Sequence, residues 1–376
     1  MNPVMIDFDL GDELELLRST AQQFAADHLR PALRDHESAR QISQPAHAAF
    51  AEIGFAALEC PESLGGSALG SLARCLMMEE LAAADPGAAL ALDRLGAALY
   101  PIAEMGGDEA LERFARPVLD TPDTRAALVW CGEGARAQTL RSGDRISGFV
   151  PWVPSDRVDL LLLLDERGCS IVHENIRCES LRGGGLRAAG AAELHLDDAP
   201  VAAHLEGEAA AGRALARARL YVTALLVGVM RESAEFSRQY ALDRVAFGRP
   251  IAHHQGLAFL IADMATAVDA ARVLLWEAAV RRDDAQANGL ATHEQAAEAA
   301  ATAFAEAAEQ SLFVTPNGVQ ILGGHGFMQD YPVEKMMREA RSLSLLLGGV
   351  DLAREHAARD LVVHEGPVAL TLEAPP

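Results

Sequence analysis

The sequence predicts an α+β protein in three parts. A helical domain occupies residues 1–122, a β domain residues 123–205 and a second helical region residues 206–364, with a tail at 365–376. Three observations carry this. Apolar residues recur at helical spacing near both ends of the chain. The middle stretch breaks into short runs rich in Val, Leu and Ile, separated by Gly, Pro and Asp. Half of the 376 residues are apolar, enough for a large core.

The elements follow in order. Leu14, Leu17, Ala21 and Phe24 share one face of a helix, and Asp9 or Asp12 is placed to cap it. CPESLGGSALGSL, from Cys60 to Leu72, is a loop by its Pro, Ser and Gly. The helix LARCLMMEELAAAD follows and closes at Pro86 and Gly87. Its adjacent acids Glu79 and Glu80 diverge around the helix. They read as surface charges, not as a catalytic carboxylate pair. AALVW, ISGFVPWV, VDLLLLLDE, CSIVHE and AELHLDD read as strands. Long helices are then expected from about Arg213 to Asp243 and from about Gln255 to Asp284, with a helical connection near 285–305. Breaks are expected at GRP (248–250), at Pro316 and at GGHG (323–326).

Lys and Arg number 32 against 54 Asp and Glu, a net charge of −22. That argues against nucleic acid and anionic membrane as partners, but not against an anionic ligand held by local charge. The N-terminus carries early acids and no basic region, so no secretory signal is read there. No apolar run reaches the roughly 18 residues of a membrane span. The five cysteines lack metal spacing and read as reduced thiols of a cytoplasmic protein. No metal site is predicted: His253 and His254 are neighbours that point apart, and His325 stands alone in a turn. The serines lack a nucleophile-elbow context.

Two C-terminal blocks are more specific. YALDRVAFGRPIAHHQGLAFLIADM runs from Tyr240 to Met264. GVQILGGHGFMQDYPVEKMMREARSLSLLLGGVDLAREH runs from Gly318 to His356. Both resemble the acyl-CoA dehydrogenase family, and PESLGGSALGSLARCLMMEELAAADPG resembles its N-terminal loop and helix. The resemblance spans essentially the whole chain. It implies an N-terminal helical domain, a middle β-barrel or sheet domain and a C-terminal four-helix bundle. It also implies FAD, an acyl-CoA substrate and an electron-transfer flavoprotein as a candidate acceptor.

In such enzymes FAD is shared between two subunits. The flavin lies against one β domain, and the adenosine diphosphate portion reaches the neighbour's C-terminal helices. Matched residue by residue, Arg244 and Phe247 fall on contacts to the pyrophosphate and adenosine portion. Gln255 falls on the glutamine of the same block. Gln320, Gly323 and Gly324 fall on a Gln-x-x-Gly-Gly turn at the adenosine end. The plainer alternatives are an ion pair of Arg244 with Asp243 or Glu232, and a simple helix-breaking turn at Gly323-Gly324.

The chain departs from the family where chemistry occurs. The base glutamate is expected before a Gly-Thr, but the sequence reads Leu347-Gly348-Gly349. The second family position for a base falls on Ala218, beside Arg219, which matches a family arginine. Neither side chain accepts a proton, and a general base typically contributes about 10²- to 10⁴-fold. No catalytic residue is therefore assigned. Asp351 replaces a glutamine and, one turn after Leu347 on a continuous helix, would be the remaining candidate. Glu232 and Glu235 read as partners of Arg231 or Arg238. The motif resembling Thr-Glu-Pro-x-Ala-Gly-Ser-Asp is here Val129 to Arg136, with Trp130 at a threonine. Trp-Ile-Thr-Asn becomes Trp152-Val153-Pro154-Ser155, and proline has neither hydroxyl nor N–H. Gly349 replaces a further threonine.

These losses are one-sided. Features that reach a neighbour's FAD are kept, and those that hold the chain's own flavin are gone. The chain therefore resembles the degenerate subunit of a heteromeric acyl-CoA dehydrogenase, such as the actinobacterial-type complexes that shorten steroid side chains. Its expected partner is a complete acyl-CoA dehydrogenase subunit. The alternatives are a homo-oligomeric flavoenzyme with a non-standard base or different chemistry, and a non-enzymatic acyl-CoA-binding scaffold.

Overall fold

A computed structural model describes residues 10–363 except 288 and 290; Asp9 and the tail at 365–376 lie outside the described residues. The first helix is Gly11–Phe24. Ala21 and Phe24 are buried, and Leu14 and Leu17 pack against the same core. Its N-cap is Leu10, without a side-chain cap, so Asp12 sits in the first turn instead of capping it. There its charge faces the helix dipole.

The helix Ser71–Ala84 is buried almost throughout. Glu79 and Glu80 are only 2% and 4% exposed, which corrects the surface reading. Other helices surround this one, so its acids must be met by cations. Arg231 donates to both, Arg272 to Glu79 at 3.0 Å and Arg18 to Glu80 at 2.9 Å. Buried carboxylates persist when paired in this way.

The middle region is one curled sheet. Its strands are β1 Ala126–Trp130, β2 Gln138–Ser142, β3 Arg145–Val153, β4 Leu160–Leu164, β5 Gly168–Val172, β6 Ile176–Ser180 and β7 Ala192–Glu206. The order is β1-β4-β5-β7-β3-β2, with β6 also on β7. Only β1 and β4 run parallel. The long strand β7 pairs with β5 by one end and with β3 and β6 by the other, so it joins the two halves of the sheet. All five leucines of β4 are buried because both faces are covered. Leu160, Leu162 and Leu164 join the helical core, and Leu161 and Leu163 a smaller core within the sheet.

The C-terminal region is built on the long helix Glu208–Asp243, with Gln255–Ala287, His293–Leu322 and Val333–Leu343 packed on it. A Cβ at Gly228 would lie 2.3 Å from the Glu79 carbonyl oxygen, so glycine sets how closely the long helix and Ser71–Ala84 approach. The Ala-rich stretch is helical apart from a short break: one helix ends at Ala287 and the next starts behind a Thr292–Gln295 capping box. One expectation fails here. Pro316 does not break its helix, which runs on to Leu322. Buried neighbours on this helix hold it in the bundle, and Asn317 and Thr315 side chains donate to the Phe313 and Ser311 carbonyls around the missing N–H. No described helix is long and apolar enough to cross a membrane.

Helix Val333–Leu343 is fixed to the N-terminal region by a buried charge cluster. Lys335 Nζ donates to Asp85 Oδ1 at 2.8 Å and to Glu339. Asp85 also caps the helix Pro86–Leu92 through Ala88 N–H. Replacing Lys335→Met leaves Asp85 in a dry site without its cation. We expect a loss of roughly 3–5 kcal/mol in urea denaturation. A loss under about 1 kcal/mol would show that the cluster is not desolvated as described.

Candidate functional site

A cavity of about 680 Å³ lies between the sheet and the C-terminal helices. Trp130, Trp152 and Pro154 line its sheet side, and the turn around Leu345–Val350 lines the other. Leu347 sits in that turn with φ +54°, followed by Gly348 at +85° and Gly349 at +74°. A leucine in the left-handed region is strained by about 1–2 kcal/mol. Only Leu347 here lacks glycine's freedom, and it stays because its side chain is buried, 7% exposed. It also lines a smaller cavity of about 90 Å³ beside the segment Leu90–Ala98.

The two positions expected for a base are both apolar and buried, since Ala218 lies inside the long helix. The spacing argument for Asp351 fails. Leu347 is not helical, and the final helix begins at Gly349. Asp351 is exposed on the cavity wall, not aligned one turn beyond Leu347.

The flavin implied by the resemblance can be tested against this wall. Trp130 is buried and its Nε1–H donates to the Glu133 carbonyl at 3.0 Å. Its ring lies against Gly348, where a Cβ would come within 3.2 Å of Cδ1. Pro154 offers no donor. Ser155 Oγ is turned to the Arg157 carbonyl at 2.6 Å. Ser344, the one hydroxyl residue on the wall among the described residues, donates to the Arg341 carbonyl at 2.9 Å. The cavity has room for a flat aromatic ring but lacks the hydroxyl donors. The residues of this cleft do not fit the flavin edge.

The other candidate residues come together at one end of the bundle. Arg244 leaves the long helix. It leads into a short hairpin of strands β8 Val245–Ala246 and β9 Arg249–Pro250. Phe247 is at the hairpin turn, with φ +52° and 96% exposed. Gln255 opens the next helix, and Gln320, Gly323 and Gly324 close the helix His293–Leu322. Ile251 N–H donates to the Arg244 carbonyl at 2.8 Å, and Tyr240 Oη meets His325 Nδ1 at 2.8 Å. These bonds tie the hairpin and the glycine turn to the end of the long helix. All six residues are exposed.

The plainer reading of Arg244 does not hold. Asp243 is held by Gln239, Glu232 by Arg30, and the Arg244 guanidinium has no hydrogen bond or ion pair among the described residues. Glu235 does pair with Arg238, as expected, but Glu232 pairs across to Arg30 and not to Arg231. The donor set at this bundle end therefore fits an anionic, adenosine-like portion: a free guanidinium, two amides and a glycine turn.

Sequence reasoning missed Arg94 and Arg125, which line the 90 Å³ cavity. They donate to the carbonyls of Thr121, Leu119 and Ala91 and to no carboxylate among the described residues. Burial lowers both guanidinium pKa values. No motif marks them. Glu179, Glu193 and His195 bring ligand atoms within 4.8 Å on the sheet, but Arg177 already pairs with Glu179.

Residues 11–121 match the family model described as the acyl-CoA dehydrogenase N-terminal domain, and residues 206–362 the model of its C-terminal domain. The chain is 29% identical to the protein named Probable acyl-CoA dehydrogenase fadE25 of Mycobacterium leprae, over 96% of this chain and 98% of that one. The fold is similar to butyryl-CoA dehydrogenase from Megasphaera elsdenii, with a TM-score of 0.80 and 22% identity over 95% of this chain and 100% of the other. It is also similar to the FAD complex of PigA, with a TM-score of 0.81 and 20% identity over 95% and 100%.

Two histidines near these cavities are held neutral. Burial, aided by Arg125 and Arg94, lowers His47 to about 4. Burial, aided by Arg219 and Arg359, lowers His356 to about 4. An unfolded histidine titrates near 6.5, so between about 6.5 and 4 the unfolded chain binds more protons, and stability falls as pH falls. The urea midpoint should drop between pH 7 and pH 5, and His47→Gln should shrink that drop. An unchanged slope in the variant would show that His47 is not neutral in the fold.

Proposed function

Because this chain belongs to the acyl-CoA dehydrogenase family, we propose that it is the non-base-carrying subunit of a heteromeric, FAD-dependent acyl-CoA dehydrogenase. The complex removes hydrogen across the α,β-bond of an acyl-CoA thioester, of fatty acyl or steroid side-chain type. One observation carries this reading: the flavin-facing wall has no free hydroxyl donor among the described residues and no carboxylate at either family base position, while the FAD-reaching end of the bundle keeps its donors unsatisfied and exposed.

FAD, when bound, supplies the acceptor for the substrate's β-hydride. Arg244 is free to give charge-assisted hydrogen bonds to its diphosphate. Gln255 and Gln320 supply amides on either side, and Gly323 and Gly324 admit the close approach of a ligand. Phe247 is an exposed apolar surface for the adenosine or for the partner chain. Leu347 and Ala218 take no proton, so the α-proton goes to a carboxylate of the partner. An electron-transfer flavoprotein is the fitting acceptor of the complex.

The chain purified alone should show no visible flavin absorbance. Co-expressed with a base-carrying acyl-CoA dehydrogenase from its genetic neighbourhood, it should give one FAD per heterodimer. Stoichiometric FAD on the lone chain would overturn the proposal and favour a self-contained flavoenzyme. In the complex, Arg244→Gln should weaken FAD retention about tenfold or more, the scale of a lost hydrogen bond to a charged group. Unchanged FAD retention in that variant would remove Arg244 from the site.

A further inference from the structure

Arg219 follows Ala218 in the long helix and is 2% exposed. Its Nη1 donates to His356 Nδ1 at 3.0 Å. Its Nε and Nη2 have no partner, and no carboxylate pairs with it among the described residues. The other deeply buried cations differ. Arg74 has Asp93 and Glu59, Arg217 has Glu59 and Glu104, and Lys335 has Asp85 and Glu339. Burial, with Arg359 nearby, pulls Arg219 down to about 10, so it is still a cation at neutral pH. His356 is neutral there and does not offset the charge. An uncompensated buried charge is among the most unfavourable features a fold can carry.

Arg219 lines the inner side of a cavity of about 230 Å³. Trp130 also lines it and, lining the 680 Å³ cleft as well, stands between the two. The remaining charged residues of the wall are mostly acidic: Asp165, Glu166, Glu208, Glu294 and Glu298, with Arg359 the one further guanidinium; the others are small or apolar residues and His356. Asp165 and Glu166 are held by backbone N–H groups. Glu208 and Glu298 have no hydrogen bond or ion pair among the described residues.

Arg219 lines the cavity as an uncompensated cation, and a guanidinium meets a carboxylate with charge-assisted hydrogen bonds. The acidic wall repels a polyanion such as a nucleotide diphosphate. It attracts a cationic group on the same ligand. The volume is below the roughly 300–1,000 Å³ usual for drug-sized ligands. We propose that this cavity binds a small zwitterion of the α-amino-acid class, with its carboxylate on Arg219 and its ammonium facing Glu208 and Glu298. This site is separate from the proposed FAD surface and does not depend on it.

Calorimetric titration of the full chain with L-alanine, propionate, n-propylamine and inorganic phosphate tests this. L-Alanine should bind, propionate should bind about tenfold or more weakly for want of the ammonium contact, and the other two should give no heat. Glu208→Gln, at an exposed position, should weaken L-alanine severalfold and leave propionate unchanged. Arg219→Met should abolish L-alanine binding and raise the melting temperature, because it removes an uncompensated charge. Three results would overturn the assignment: no heat with L-alanine, phosphate binding more tightly than L-alanine, or an Arg219→Met chain of lower melting temperature that still binds L-alanine. If Arg219→Met does not fold, the ligand series and Glu208→Gln still decide.

Discussion

One helix is buried on every side, and the other parts are arranged by that constraint. From Ala214 to Met230 each residue of the long helix Glu208–Asp243 is buried. No polar group on that stretch can turn to water. Thr223 Oγ1 therefore bonds back to the Arg219 carbonyl at 2.7 Å. Arg217 reaches Glu59 and Glu104 at 2.9 Å, which draws the segments around residues 59 and 104 onto the helix. Where the helix emerges, Arg231 meets Glu79 and Glu80, the acids that local helix geometry assigns to the surface. Gly228 lets the neighbouring backbone approach closely enough for these pairs to close. Dispersion and burial supply the attraction, and the ion pairs decide which arrangement is tolerated.

The two halves of the candidate site are made by opposite physics. The cleft wall is made by burial: Trp130 spends its only donor on Glu133, and Leu347 holds a left-handed turn by packing. The bundle end is made by exposure: the Arg244, Gln255 and Gln320 side chains have no hydrogen bond or ion pair among the described residues, and Phe247 meets the ring of His254 only edge-on. A wall whose hydroxyls are spent internally resists a ligand edge that needs them, whereas an unsatisfied surface is available for a partner or a ligand to complete it. That asymmetry supports reading the chain as one half of a shared site.

Much of this was legible in the sequence. The five leucines of β4 read as a strand because their length and flanks fit one, and burial on both faces explains why none is polar. The long helices, the β region and the Tyr240–Met264 and Gly318–His356 blocks were legible because periodicity and motif are local. What was not legible depends on tertiary surroundings. Pro316 obeys a local rule in isolation, but the bundle around it outweighs one lost hydrogen bond. Asp351 looked one turn from Leu347 because spacing does not show that the chain is left-handed at three consecutive residues. The same limit applies to Arg219: its type was visible, its missing counter-ion was not.

The charge balance gives the unpaired arginines their weight. With 54 acidic and 32 basic residues, an arginine in this chain meets a carboxylate by default. Most do, including those most deeply buried. An arginine left without one, such as Arg244 exposed at the bundle end or Arg219 enclosed beside acidic residues, runs against that excess. Arg244 can remain unpaired at little penalty because water solvates it, so its freedom is permissive: it is available to an anion. Arg219 has no such solvent, and its lack of a partner is unfavourable unless something supplies negative charge. The net charge of −22 therefore describes the chain as a whole, while affinity for an anion is set locally, at unpaired guanidinium groups such as these two.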